Sequence, residues 1–302
     1  MIRLAVRVRG EQAELVLAEL LELVPGGVEE VHGALGTSAE GTVEYAVYGA
    51  PGELPDLPDV RAAVGGALVE VSTSEIPDDW HERWRQFHKP VLIQAPAPAV
   101  GRPTVPSLRV RPPWEAPERE HQVEVEEIVI DPGQAFGTGG HATTRLCLEL
   151  LLRIAAEDPA RGPVLDVGTG SGVLAIAAAR LGFEPVLGLD HERESVAAAR
   201  ENAAVNGAQL DVRRFDLRSQ PLVWPSEQPG GPEATIVLAN LLRPLLIELA
   251  RELAHTPTQL VAGGLLRAEA DQVVDAFALA AGMRERERRE QGEWAAVWLT
   301  PA

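Results

Sequence analysis

The chain is 302 residues long, 45% hydrophobic, and carries a formal net charge of −18. That length suits one large α/β domain plus a smaller one, at ~100–200 residues per domain, and no apolar run approaches the ~18 residues that suggest a membrane span. The acidity opposes direct nucleic-acid binding, because neutralising phosphates takes clustered Lys and Arg, and the single cysteine, Cys147, excludes a disulfide framework or a multi-cysteine zinc site, so no metal is expected.

The start, Met1-Ile2-Arg3-Leu4-Ala5-Val6-Arg7-Val8, alternates like a strand and lacks the apolar core and cleavage site of a signal peptide; a cytoplasmic protein is expected. Strands at 2–8, 27–35, 42–47 and 67–73 alternate with helices at 12–24 and 57–64. Leu4, Val6 and Val8 point one way while Arg7 and Arg9 point the other, and Leu17, Leu20, Leu21 and Val24 share a helix face. This βαββαβ order predicts a small ferredoxin-like α+β domain over residues 1–75. It holds 13 Asp/Glu against 4 Arg, a net −9, and no catalytic cluster, which points to recognition of a basic partner. Acidity that merely keeps the chain soluble is the other reading.

Residues 76–120 are expected to connect. Asp78-Asp79-Trp80 opens a helix whose Trp80, Trp84 and Phe87 fall on one face and serve as packing. Prolines crowd 94–119, which must be irregular or edge strand. From 121 onward strands are expected at 122–130, 163–167, 185–189, 209–214, 234–239 and 258–262. Helices are expected at 141–156, 172–181, 192–206, 243–254 and 267–281, before a closing antiparallel pair at 283–289 and 293–299. Such alternation makes 121–302 an α/β domain with a mostly parallel sheet, covered on both faces and binding ligands at the carboxyl ends of its strands. The run Arg284-Glu285-Arg286-Glu287-Arg288-Arg289 reads as a solvated strand edge.

Chemistry concentrates in this last region. Val164-Leu165-Asp166-Val167-Gly168-Thr169-Gly170-Ser171-Gly172 is an apolar strand running into a glycine loop, where Gly168 and Gly170 let a ligand approach backbone amides without a Cβ collision. The third glycine of a dinucleotide loop is replaced by Val173, and the Gly-Lys-Ser/Thr of a P-loop is missing. Asp190 ends the next strand about 20 residues on, where a carboxylate accepts hydrogen bonds from ribose hydroxyls; capping the helix at 192 is its other role, and the two can coexist. Asp216, after the third strand, either meets an adenine edge or is an ordinary loop residue. Asn240 closes the fourth strand, facing the ligand crevice, where its amide or neighbouring carbonyls can accept a proton from a substrate amine. The stretch Asp131-Pro132-Gly133-Gln134-Ala135-Phe136-Gly137-Thr138-Gly139-Gly140-His141-Ala142-Thr143-Thr144 can form a flap whose Phe136 covers a cofactor and whose hydroxyls bond to it. Alternatively, Thr143 or Thr144 simply sits in the first helical turn. His141 is given no role.

That stretch, together with Leu165 to Gly172, Ala198-Ala199-Arg200-Glu201-Asn202-Ala203 and Leu238-Ala239-Asn240-Leu241, resembles the PrmA family, methyltransferases of large ribosomal subunit protein eleven. The resemblance is strong over about 125–300, is supported by Asp79-Trp80 to His88-Lys89-Pro90, and is weak before residue 75. It implies a class I Rossmann-like methyltransferase domain with a seven-stranded sheet, behind a small substrate-recognition domain. It implies S-adenosyl-L-methionine as cofactor, held through Thr144, Gly168, Asp190 and Asn240, and protein N-methylation of lysine side chains and an N-terminal α-amine. Gly140 stands where the family often has Thr, and Ala142 where it often has Pro. Two other classes compete: a methyltransferase of RNA or a small molecule, which the acidity and the separate front domain oppose, and a nicotinamide dehydrogenase or nucleotide-binding module, which Val173 opposes.

Overall fold

The computed structural model describes the chain except residues 1, 14–15, 18–19, 21–23, 25–27, 32–41, 50–53, 56, 76–87, 98–99, 103, 118–123, 133–139, 158–159, 223, 225–234 and 254, and the side chains of 11, 29–31, 59, 63 and 75. It divides into two compact units, Met1–Phe87 and His88–Ala302. The expected aromatic helix at 78–87 lies outside the described residues.

The first unit is an antiparallel sheet of β1 (Ile2–Arg9), β2 (Glu29–Val31), β3 (Thr42–Gly49) and β4 (Leu68–Glu75) in the order β2-β3-β1-β4, with α1 (Leu57–Val64). This is the ferredoxin-like arrangement. Leu4, Val6 and Val8 pack with Tyr45, Val47, Val60 and Val64, and with Ala13, Val16, Leu20 and Val24 of the partly described 12–24 stretch. The alternate residues of β1 form ion pairs instead: Arg3 with Glu44 at 2.6 Å, and Arg7 with Glu44 and Glu70, each at 2.8 Å. Period-two alternation thus separates a greasy face from a charged one.

The second unit begins upstream of the boundary expected at 121 because the proline-rich stretch is not a mere connection. Its β5 (Val91–Ile93) and β6 (Ser107–Arg111) form a three-stranded sheet with β7 (Val125–Val129). Prolines flank β6 at Pro106 and Pro112 without interrupting it, so no ladder N–H is lost. The expected strand at 122–130 is therefore β7 of this separate sheet, not a member of the large one. Glu127 on β7 accepts from Arg109 (2.9 Å) and Arg111 (2.7 Å) of β6, while Leu108, Val110 and Ile128 join the core beneath.

The large sheet has seven strands in the order β10-β9-β8-β11-β12-β14-β13. They are β8 (Val164–Val167), β9 (Val186–Asp190), β10 (Asp211–Arg214), β11 (Ile236–Asn240), β12 (Gln259–Leu266), β13 (Met283–Gln291) and β14 (Trp294–Pro301). The first five in sheet order run parallel, and β14 pairs antiparallel with both β12 and β13. Consecutive residues of each strand supply opposite cores. Val164, Val186, Ile236, Leu238 and Val261 pack against α2 (Ala142–Glu157) and α3 (Val173–Arg180). Leu165, Leu187, Val237, Leu260 and Val297 pack with residues of α5 (Arg243–Glu252) and α6 (Ala270–Ala281). Helix α4 (Arg193–Val205) follows β9. The strand order turns at β8 and β11, and ligands of open α/β sheets bind beside the carboxyl ends at such a point.

Candidate functional site

At the end of β8 the chain turns through Gly168 (φ +74°), whose N–H donates to the Leu189 carbonyl at 2.8 Å. A Cβ there would lie 2.3 Å from Leu241 Cδ2, so a larger residue would have to push that leucine tip aside as well as adopt a positive φ. Asp190, 8% exposed at the tip of β9, latches this loop: Oδ2 accepts from Gly170 N–H (2.8 Å) and Oδ1 from Glu192 N–H (3.0 Å) at the entry to α4. Glu192 and not Asp190 is thus the N-cap of α4, which Asp190 braces from outside, and a carboxylate with about four lone-pair sites keeps two beyond these bonds.

Gly168, Asp190 and Asp216 line one cavity of about 210 Å³, walled by Phe215, Leu217, Leu241 and Leu245. Asp216 also organises its own turn, where the Arg218 N–H (3.0 Å) and the Ser219 hydroxyl (2.9 Å) hold its carboxyl below the usual range. The loop reading of Asp216 thus holds alongside its place on the cavity wall.

A second cluster joins Thr144 and Asn240. Both Thr143 and Thr144 lie buried in the first turn of α2, and Asn240 Nδ2 donates to Thr144 Oγ1 at 3.3 Å. Asn240 Oδ1 is buried without a hydrogen-bond partner among the described residues. A Cβ on Gly263 would come 2.3 Å from Cys147 Sγ and 3.1 Å from Asn240 Oδ1, so that glycine keeps the acceptor uncrowded. His141 precedes α2, with Nδ1 at 2.9 Å from Thr143 Oγ1 and its ring edge-on to Trp294 at 4.8 Å. Burial pushes its pKa down, which favours neutral imidazole. Phe136 lies outside the described residues.

Asp166 was not expected to matter. It is fully buried in β8, with Oδ2 accepting from Thr169 Oγ1 (2.7 Å) and Ala175 N–H (3.2 Å), and with Oδ1 unpartnered among the described residues. Burial, helped by the charge of Asp190, raises its pKa to about 7. The signal was available: an acid inside a strand covered on both faces is costly unless it is held for a purpose. A carboxyl whose folded pKa lies above its unfolded value stabilises most when protonated, and that stability is lost as pH rises from about 4 to 7. Replacing Asp166 with Asn removes this dependence. The melting-temperature gap between Asp166→Asn and the parent should grow across that window and stay level above it; a gap independent of pH would mean that Asp166 titrates normally.

Relatives of known name complete the description. The family model described as ribosomal protein L11 methyltransferase (PrmA) matches residues 62–301. The chain is 39% identical over 236 residues to the ribosomal protein L11 methyltransferase of Syntrophotalea carbinolica, covering 76% of this chain and 70% of that one. It is 40% identical over 253 residues to that of Geobacter sulfurreducens, covering 80% and 73%. Among solved structures, ribosomal protein L11 methylase from Lactobacillus delbrueckii subsp. bulgaricus superposes with a TM-score of 0.55 at 28% identity, covering 70% of this chain and 98% of that one. With a seven-stranded methyltransferase sheet and a family match across four-fifths of its length, the chain belongs to the ribosomal protein L11 methyltransferase (PrmA) family.

Proposed function

We propose that this protein transfers methyl groups from S-adenosyl-L-methionine to lysine side-chain amines and the N-terminal α-amine of ribosomal protein L11. The observation that carries the reading is the Asn240 Oδ1 at the carboxyl end of β11, buried and unpartnered among the described residues, next in the chain to Leu241 on the wall of the cavity that Asp190 and Asp216 line. The residues suit the cofactor. Asp190 keeps lone pairs for ribose hydroxyls, Phe215 and Leu217 offer apolar walls to a flat base, and the glycine loop exposes backbone to the rest of the molecule.

When bound, the cofactor supplies a sulfonium methyl open to attack by a neutral nitrogen. Lysine, with a pKa of about 10.4 in water, is almost wholly protonated at neutral pH and has no lone pair to offer. A water-poor approach along β11 disfavours the ammonium form, and Asn240 Oδ1 accepts an N–H of the neutral amine and aims its lone pair. Thr144 Oγ1, accepting from Asn240 Nδ2, helps to hold the side chain in place. Residues 1–75, with their net −9, take the role of recognising the basic substrate, and the unit from His88 onward carries the chemistry. The reaction belongs to the cytoplasm, in keeping with the lack, among the described residues, of any helix long and apolar enough to cross a membrane.

The test is transfer of labelled methyl from S-adenosyl-L-methionine to purified ribosomal protein L11, with mass spectrometry to locate the modified amines. Label on lysine and α-amines is the expected result. Label on rRNA or a small metabolite, with none on the protein, would replace the reading with another methyltransferase substrate.

A further inference from the structure

Asn202 of α4 and Asn206 at its C-cap line no part of the cavity, yet both spend their side chains on distant backbone. Asn202 is buried; its Oδ1 accepts from the Asp131 N–H (3.1 Å) and its Nδ2 donates to the Ser171 carbonyl (2.9 Å). One turn on, Asn206 accepts from the Val129 N–H and donates to the Val129 and Asn202 carbonyls, each at 2.7 Å. The exit of β7, where the family-specific stretch 131–144 begins, is thus pinned to α4 twice. Only Asn202 reaches on to the glycine loop. Ser171 lies between Gly170, whose N–H is held by Asp190, and Gly172, which starts α3. A primary amide presents a donor and an acceptor on one rigid plane. Aspartate lacks the donor and serine lacks the reach.

We propose that Asn202 is a positioning residue for methyl transfer, setting the spacing between the glycine loop and the entrance of the 131–144 stretch so that Gly170 and Asp190 stay in register for the nucleoside. The inference rests on the methyltransferase reading above. Removing the amide leaves the Asp131 N–H and the Ser171 carbonyl without this partner, and the loop settles elsewhere. Asn206 supplies the control, since it grips the end of the same strand with two bonds to Val129 and makes none to the loop among the described residues.

Calorimetric titration with S-adenosylhomocysteine, alongside the melting temperature, is measured for the parent, Asn202→Ala and Asn206→Ala. Both variants melt earlier. Asn202→Ala binds about tenfold more weakly or worse, while Asn206→Ala stays within about twofold of the parent, as expected when only the first loses a bond to the loop. In turnover, Asn202→Ala raises KM for the cofactor more than it lowers kcat. Equal weakening in both variants, or parental affinity in Asn202→Ala, overturns the proposal and leaves Asn202 a stabilising residue only. Should Asn202→Ala not fold, Asn202→Asp takes its place: it keeps the acceptor for Asp131 but sets a carboxylate oxygen against the Ser171 carbonyl, so parental affinity in that variant is equally fatal. A parent protein that binds no S-adenosylhomocysteine would reject the methyltransferase reading itself and this inference with it.

Discussion

Asn240→Ala is expected to lower single-turnover methyl transfer by about 10²–10³-fold while cofactor affinity changes far less, the pattern of a group whose interaction matters most in the transition state. The parent Oδ1 is buried and unpartnered among the described residues, so it meets an arriving amine without first giving up a protein hydrogen bond. Alanine removes the only acceptor the Asn240 side chain offers and also leaves Thr144 Oγ1 without its donor. Asn240→Asp separates the two effects: it keeps an acceptor, loses the donor to Thr144, and should fall between alanine and the parent. Rapid-quench kinetics with saturating cofactor, combined with calorimetric affinities, make the comparison. Parental rates in Asn240→Ala would remove this residue from the chemistry and shift attention to backbone carbonyls after β11.

Gly264→Ala is expected to destabilise the protein by about 3–5 kcal/mol, combining the strain of a left-handed conformation with overpacking that no side-chain rotation can relieve. Gly264 has φ +78°, and its Cβ would lie 2.4 Å from the Leu241 carbonyl oxygen and 2.8 Å from the carbon. The obstruction is backbone, unlike that at Gly168, where a flexible leucine tip stands in the way. The glycines at 263 and 264 fall where the β12–β14 register shifts, between Ala262 and Leu265, and Asn240 pairs with Gly263 across the β11–β12 ladder. Any relaxation must therefore move the strand end that carries Asn240. Denaturant unfolding followed by tryptophan fluorescence reads the loss. A change below about 1 kcal/mol would show that the Leu241 segment yields easily, since surface substitutions away from special features stay within such limits.

What was legible in the sequence was mainly local. The glycine loop, the acid ending the second parallel strand and the asparagine ending the fourth each follow from a short string whose backbone consequences are nearly fixed, and Gly168, Asp190 and Asn240 lie at the strand ends where those strings put them. Non-local pairing was harder to read. The strand at 125–129 reads as one more member of the alternating sheet, whereas it pairs with β6, where Arg109 and Arg111 meet Glu127 and Leu108, Val110 and Ile128 share a core. The same prolines that argue for irregular chain or edge strand mark the ends of a regular strand at the centre of its sheet. Asp166 stands inside the loop motif, but its significance lies in the burial of a carboxyl rather than in any spacing. Asn202 was equally silent, since its partners stand 71 and 31 residues away.

The double duty proposed for Asp190, ribose contact and loop latch, constrains any attempt to retool the cavity. Had this carboxylate only faced solvent, exchanging it would be the obvious way to admit a nucleoside altered at its ribose. Because it also latches Gly170 and the start of α4, such an exchange would unfasten the loop before the new ligand arrived. A protein engineered to accept a bulkier cofactor analogue should keep Asp190 and trim Leu217 or Leu245, which line the same space with side chains that have no hydrogen bond to lose.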